Sequence, residues 1–274
     1  MCDMVDVQST PPHPALRPFV CSFVQRDAQL GHSEFIEPVV ARLGVKIEFK
    51  FAGLYQIRSC ASNAIITPNR ISVVGPQTFR RVNLTLSGSI QSLAVTFQPC
   101  GFHALFSTPT HSLADISTEG HSVLGKVISH LYEQLGNLQT FSDRTALLNR
   151  FFLRCLENAE RDNSVYVALQ RLAAGTHTIE DAADQACMCR RQFERKARIY
   201  TGVTPKDLTR IARFNRALRL SRESPLNWTE IAHAADYHDR MHMVHDFRVF
   251  AGDSPTGTRQ TIAAEHLIHF CSSN

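Results

Sequence analysis

Apolar and polar residues alternate along the first part of the chain. Val45-Lys46-Ile47-Glu48-Phe49-Lys50-Phe51 does so without a break, which is the two-residue period of a strand with one buried face. Residues 19–24 are a shorter apolar run after a proline, 55–58 follow the turn residue Gly53, and 71–74 end at Gly75-Pro76. Residues 82–86 and 92–97 flank Ser87-Gly88-Ser89 and predict a hairpin. Short strands separated by turn residues predict a small barrel or sandwich. After Pro99 the period changes to three and four. Residues 101–106 fit a short helix, and 123–135 and 143–159 fit longer ones, the last with a broad apolar stripe of Leu147, Leu148, Phe151, Phe152, Cys155 and Leu156. Such a pair would pack on the barrel, on the region that follows, or on a second subunit.

From residue 164 the helical period dominates. Val165, Ala168, Leu169 and Leu172 predict an amphipathic helix that Gly175 ends. Thr178 suits the cap of a helix over 179–186, with Asp181 completing a capping box. Cys187-Met188 reads as a turn, and 189–200 as the next helix, closed by Gly202. Thr204-Pro205 opens a long helix to about Arg222, with Leu208, Ile211, Phe214, Asn215 and Leu218 inward. Ser224-Pro225 stops it. Trp228-Thr229-Glu230 opens a second pair, in which Ile231, Ala232, Ala235, Met243, Phe247 and Phe250 are apolar at helical spacings and Asp236-Tyr237-His238 interrupts them. A short helix, a turn and a longer helix thus occur twice, on either side of one long helix.

Composition narrows the class. The chain has 274 residues, 43% hydrophobic and 20% charged, which suits two globular domains. No apolar run approaches the ~18 residues of a membrane span, and the acids and prolines of residues 1–18 predict no secretory signal. Cysteines at positions 2, 21, 60, 100, 155, 187, 189 and 271 are scattered, which predicts reduced thiols in a cytoplasmic protein. The formal charge of +4 is unevenly spread: residues 164–260 hold 15 Lys and Arg against 11 Asp and Glu, and the rest of the chain is neutral. An excess of positive charge confined to the helical region is the electrostatic footprint of a nucleic-acid module.

Two helix faces carry candidate chemistry. Arg191, Glu194, Arg195 and Arg198 fall at i, i+3, i+4 and i+7 of the first longer helix. Arginine forks pair with guanine O6 and N7, and a glutamate accepts from cytosine N4. The other reading of the same face is solvated i, i+4 ion pairs of Glu194 with Arg191 or Arg198. In the second pair the buried stripe is Met243, Phe247 and Phe250, and the open face carries Arg240, Met241, Val244, His245 and Arg248.

Residues 231–255, with Ile231, Ala232, Asp239, Phe247, Gly252, Ser254 and Pro255, resemble the signature of AraC/XylS-type transcription regulators. Asp236 stands where that signature usually has Gly, Met241 where it has Ser, and Met243 where it has Phe. In the first unit Phe193, Arg195 and Gly202-Val203-Thr204-Pro205 resemble the same family, with Cys189 for Ser and Ala197 for Phe. Ala197 should pack loosely unless a neighbour such as Tyr200 fills the space. Gly75-Pro76-Gln77-Thr78 and residues 95–106 are similar to the sensory half of one AraC-type subgroup. The resemblance implies an α+β chain: a β-rich, cupin-like barrel domain over 1–115, a helical connector over 116–163, and an all-α double helix-turn-helix domain over 164–263. It implies a sequence-specific regulator of transcription, an activator of the cytoplasm, that needs no cofactor. Its partners would be double-stranded DNA, a small-molecule effector, RNA polymerase and a second copy of the chain, with no membrane. The implied DNA-binding residues are Arg190, Arg191, Glu194, Arg195, Arg198, Arg240, Met241, His242, His245 and Arg248.

The alternative class is a small-molecule-binding or enzymatic barrel with a degenerate helical tail. A cupin-type metal centre needs a His-x-His pair, and His13, His32, His103, His111, His121 and His130 supply none. Nor does the chain hold a nucleophile elbow, a phosphate loop or a dinucleotide fingerprint. His238, His242 and His245 predict no metal set, since His238 falls in the turn, the other two on different sides of a helix, and a fourth ligand is missing. Cys187 and Cys189 sit too close in a turn for an unstrained disulfide.

Overall fold

In the computed structural model, which describes residues 4–31, 33–53, 55–60, 62–79, 82–157 and 163–263, the alternating run becomes β4 (Lys46–Ala52). It is an inner strand of a six-stranded antiparallel sheet. The order is β1 (Met4–Thr10), β2 (Val20–Gln29), β9 (Ser89–Phe97), β4, β7 (Ile71–Val74) and β10 (Ser117–Glu119). A second sheet, of four strands, runs β3 (Phe35–Pro38), β8 (Val82–Leu86), β5 (Gln56–Ser59), β6 (Ile65–Ile66).

The period of two sorts the six-stranded sheet into two unlike faces. Phe23, Ile47, Phe49, Leu93, Val95 and Phe97 face the helices α1 (Gly101–Phe106), α3 (Lys126–Gly136) and α4 (Phe141–Glu157). There Phe97 packs edge-on against Phe102 at 5.4 Å and Phe152 at 5.6 Å. The alternate residues Val24, Lys46, Glu48, Ser92, Ala94 and Thr96 point the other way, where with Ile57 and Leu84 of the second sheet they line a cavity of about 920 Å³. The polar half of the alternation is therefore enclosed, not solvated: Glu48 is 3% exposed and Lys50 2%.

The expected hairpin over 82–97 does not form. β8 pairs with β3 and β5, and β9 with β2 and β4, so the chain changes sheets at Ser87-Gly88. The two strands carry different burial patterns, and each is satisfied in its own sheet. The expected helix over 123–135 is broken into α2 (Gly120–Leu124) and α3 at Gly125, whose φ of 68° ends the first segment. The last two residues of the expected helix over 143–159 lie outside the described residues. Cys21 is disulfide-bonded, while Cys60, Cys100, Cys155, Cys187 and Cys189 are free. The expectation of reduced thiols throughout is corrected there, because spacing along a chain does not report which thiols the fold brings together.

The helical region follows: α5 (Asn163–Ala173), α6 (Ile179–Gln185), α7 (Arg190–Thr201), α8 (Pro205–Glu223), α9 (Trp228–Ala234), α10 (Arg240–Phe250) and α11 (Pro255–Ala263). Thr178 and Asp181 form the expected capping box on α6, and Asn227 with Glu230 forms another on α9. The turns between α6 and α7 and between α9 and α10 each use one left-handed residue, Cys187 at φ 53° and Asp236 at φ 65°. Neither small unit closes its core alone. Val40 and Ala41, from the strap between β3 and β4, complete the core of Ile231, Met243, Phe247 and Phe250. Cys100 and Ala104 complete that of Ala182, Phe193, Ala197 and Leu208. The Ala41 N–H donates to the Phe250 carbonyl at 2.8 Å, and the Thr110 hydroxyl to the Tyr200 carbonyl at 3.1 Å.

Candidate nucleic-acid interface

On α7 the inward side chains are Phe193, Ala197 and Tyr200, all buried. Tyr200 shares the buried core of Ala197 and stacks on His103 at 4.1 Å and Tyr166 at 5.1 Å. Arg190, Arg191, Arg195 and Arg198 are exposed, and Glu194 is half-buried. Arg190 lies 2.7 Å from Glu180 and 3.0 Å from Glu194. Glu194 is thus held by Arg190, one turn before it, and not by Arg191 or Arg198. Arg191, Arg195 and Arg198 have no carboxylate partner among the described residues. Cys189 caps the helix, its N–H donating to Gln192 Oε1 at 3.3 Å.

On α10 Met243, Phe247 and Phe250 point inward, and Phe247 meets Phe214 of α8 at 4.9 Å and Trp228 of α9 at 5.9 Å. Asp246 is buried as well, 2.6 Å from Arg210 of α8 and within 3.3 Å of the donating Tyr237 hydroxyl. Burial and the neighbouring Asp246 push the Tyr237 hydroxyl well above its ordinary range. Arg240, Met241, His242, His245 and Arg248 are exposed, Met241 at 72%. Val244 is half-buried, so the open face is narrower than its spacing suggested.

At the head of α10 Asp239 is the cap, Oδ1 accepting the His242 N–H at 2.8 Å, and this bond first among its contacts lowers its carboxyl below the ordinary value. The other oxygen, Oδ2, lies 2.9 Å from His242 Nδ1 and 3.4 Å from His238 Nδ1. The fold therefore brings His238 and His242 together around a carboxylate, while His245 stays apart. His238 lies in the turn, as expected, and spacing along the chain did not show that the cap places Asp239 between it and His242.

The long helix α8 has two roles. Leu208, Ile211, Phe214 and Leu218 are buried beneath the two small units, whereas half-buried Asn215, expected to point into that core, lines the cavity with Ala212, Arg216 and Arg219. On the opposite wall Glu48 is 3.3 Å from both Lys46 and Lys50 and accepts from the Tyr55 hydroxyl. Burial alone would raise the Glu48 carboxyl, but the two ammonium groups and that hydrogen bond outweigh it and hold it below the usual carboxylate range. Arg26 pairs with Glu37 at 3.1 Å. Arg42 donates to the Gly44 and Gly75 carbonyls at 2.9 and 3.3 Å, and burial brings it down to about 10. Periodicity marked this face as polar; its enclosure depends on the second sheet and α8, which local spacing does not report.

Residues 182–261 match the model of a helix-turn-helix domain, and residues 8–119 that of a domain of unknown function, DUF6597. No curated protein matches the chain. Among solved structures the chain is similar to ToxT from Vibrio cholerae O395, at 12% identity and a TM-score of 0.48, over 94% of this chain and 97% of that one. It is similar over its helical region to the DNA-binding domain of AdpA in complex with a target DNA, at 24% identity and a TM-score of 0.36, over 38% of this chain and 97% of that one. A transcriptional regulator with an AraC-type DNA-binding domain from Chromobacterium violaceum is similar at 22% identity and a TM-score of 0.34, over 37% of this chain and 91% of that one. The chain thus carries a helix-turn-helix domain over residues 182–261 behind a β-rich domain, and the residues that resemble the AraC/XylS signature lie within it.

Proposed function

We propose that α7 and α10 read two successive major-groove segments of one duplex, and that a small molecule in the cavity governs how they do so. The observation that carries this is the pair of exposed, arginine-bearing helices, each second in its unit, joined by a single helix. α8 has 19 residues, roughly 28 Å at ~1.5 Å per residue. Successive major-groove segments on one side of DNA lie ~34 Å apart, so the helix and its flanking units suit that separation. Arg191, Arg195 and Arg198 are assigned to bases and phosphates on the first segment, and Arg240, His242, His245 and Arg248 to the second, with Met241 against a thymine methyl. Arg190 and Glu194, already joined, are assigned to the margin of the first contact.

The cavity is of the size that takes a drug-sized molecule. Of its carboxylates, Glu37 and Glu48 are held in ion pairs and Asp115 accepts from the Thr78 N–H and hydroxyl, which supports binding over catalysis. Because α8 is both cavity wall and bridge between the reading units, occupancy of the cavity alters the relation of α7 to α10. This assigns residues 1–115 to sensing, 116–163 to connection and 164–263 to DNA, with RNA polymerase and a second copy of the chain as cytoplasmic partners. The test is a titration of the full-length protein against the duplex upstream of its own gene. Binding that weakens steeply with salt supports the reading, since phosphate contacts release counterions; no binding at low salt refutes it.

A further inference from the structure

We propose that His238, Asp239 and His242 form a site for one divalent transition cation of the zinc, cobalt and nickel class, at the DNA-facing end of α10. Each residue offers one ligand atom, and the three lie within 4.8 Å of one another. Both histidine Nδ1 atoms flank a single oxygen, Asp239 Oδ2, at 2.9 and 3.4 Å. Bonds of ~2.0–2.2 Å in a tetrahedron set neighbouring ligands about 3.3 Å apart. Each imidazole nitrogen therefore already stands near coordination spacing from Asp239 Oδ2, and rotamer adjustment of the exposed side chains completes the set.

The backbone that carries them is fixed for reasons unrelated to a metal. Oδ1 of Asp239 is committed to the helix cap, which leaves Oδ2 aimed at the histidines. Tyr237, on one side, is buried and bonded to Asp246; Met243, on the other, is fully buried. The left-handed turn at Asp236 sets the direction in which His238 leaves the chain. The ligand set of two imidazoles and a carboxylate favours borderline cations over magnesium or calcium, which take oxygen ligands. The side chains are 91%, 44% and 69% exposed for His238, Asp239 and His242, so a cation reaches them directly. A three-ligand site keeps an open position, and a phosphate oxygen is a ligand of the right kind for it.

The consequence for DNA rests on the function proposed above. Asp239 presents a negative charge beside Arg240 on the reading face, and a bound dication reverses its sign toward the phosphates. Metal should then strengthen DNA binding.

Cobalt(II) is the suitable probe, because thiolate ligation by Cys187 or Cys189 would show an intense charge-transfer band that imidazole and carboxylate ligation lacks. Titrated into the full-length protein near neutral pH without DNA, it should bind at one equivalent with d–d absorption and no thiolate band. His238→Ala and His242→Ala should each weaken that binding at least tenfold. Both side chains are exposed, so the variants keep the fold. Asp239→Asn retains a good cap and should also weaken binding. A thiolate band, binding unchanged in the histidine variants, or no binding up to millimolar cobalt overturns the site. In a second arm, cobalt should raise DNA affinity several-fold in the wild type and not in His238→Ala, a residue outside the assigned DNA contacts. Cobalt bound at the site without that rise overturns the DNA consequence. Failure to bind DNA with or without metal sinks the proposed function and leaves the site standing.

Discussion

Ala41→Asp tests whether the barrel and the second helix-turn-helix unit are one cooperative body. Ala41 is fully buried in the core formed by Ile231, Met243, Phe247 and Phe250, and Val40 beside it is 4% exposed. An unpaired carboxylate kept in that core costs several kcal/mol. The strap can instead withdraw. It then loses the Ala41 N–H bond to Phe250, about 1 kcal/mol, and the burial of Val40, about 2 kcal/mol. Withdrawal has the smaller cost, so the variant should uncouple the second unit at a loss of roughly 3 kcal/mol. For a domain of this size that lowers the unit's melting point by roughly 10–20 °C. Scanning calorimetry should therefore change from one transition to two, with the lower one shifted by that amount, and Ala41→Ser should shift it less. A single transition at the wild-type midpoint in Ala41→Asp would refute the shared core.

Three further outcomes follow from particular contacts. Arg195→Ala should relax sequence preference in one half of the binding site at a cost of about 1–3 kcal/mol, and Met241→Ala should cost less; equal losses on every single-base variant of the site would reduce Arg195 to a phosphate contact. His103 is brought down to about 4 by burial and then by Lys196, from an ordinary 6.5. The unfolded chain takes up that proton first, so stability falls as pH drops from 6.5 toward 4 and this contribution changes no further below it, by about 1–2 kcal/mol after discounting for partial exposure. His103→Phe should flatten that part of a denaturation series, and an unchanged slope contradicts the assignment. Glu48→Gln leaves Lys46 and Lys50 without their shared carboxylate and should cost about 3–5 kcal/mol in chemical denaturation; a change below 1 kcal/mol would show that the ion pairs do not hold the cavity wall.

Helix positions were legible because their signals are local. Thr178, Thr204-Pro205 and the alternation of Phe193 and Phe247 with exposed residues need only neighbours within one or two turns. The strands were legible as strands, through Lys46 to Phe51, but their pairing was not. β8 and β9 adjoin in sequence, yet each finds its partners in a different sheet, and no turn signal at Ser87-Gly88 distinguishes a hairpin from a crossing between sheets. The four strands that went unread, β1, β3, β6 and β10, are edge strands held by their neighbours more than by their own pattern. At the candidate interface, spacing placed the arginines of α7 on one face but missed that Arg190, reaching Glu180 on the preceding helix, would take Glu194. It also missed Asp239 as the link between His238 and His242, since reading a cap as a ligand requires knowing where its second oxygen points. Inter-domain anchors such as Ala41 to Phe250 and Thr110 to Tyr200, each pair separated by 90 residues or more, leave no trace in local periodicity.

Selection of bound sites from random duplexes by the full-length protein tests the central claim most directly. The account predicts two short blocks of preferred sequence, their centres ~10 base pairs apart, with the preference in one block weakened by Arg195→Ala and in the other by Arg240→Ala. A single block, or enrichment of no sequence under conditions where the protein binds DNA, would contradict two reading helices set by α8.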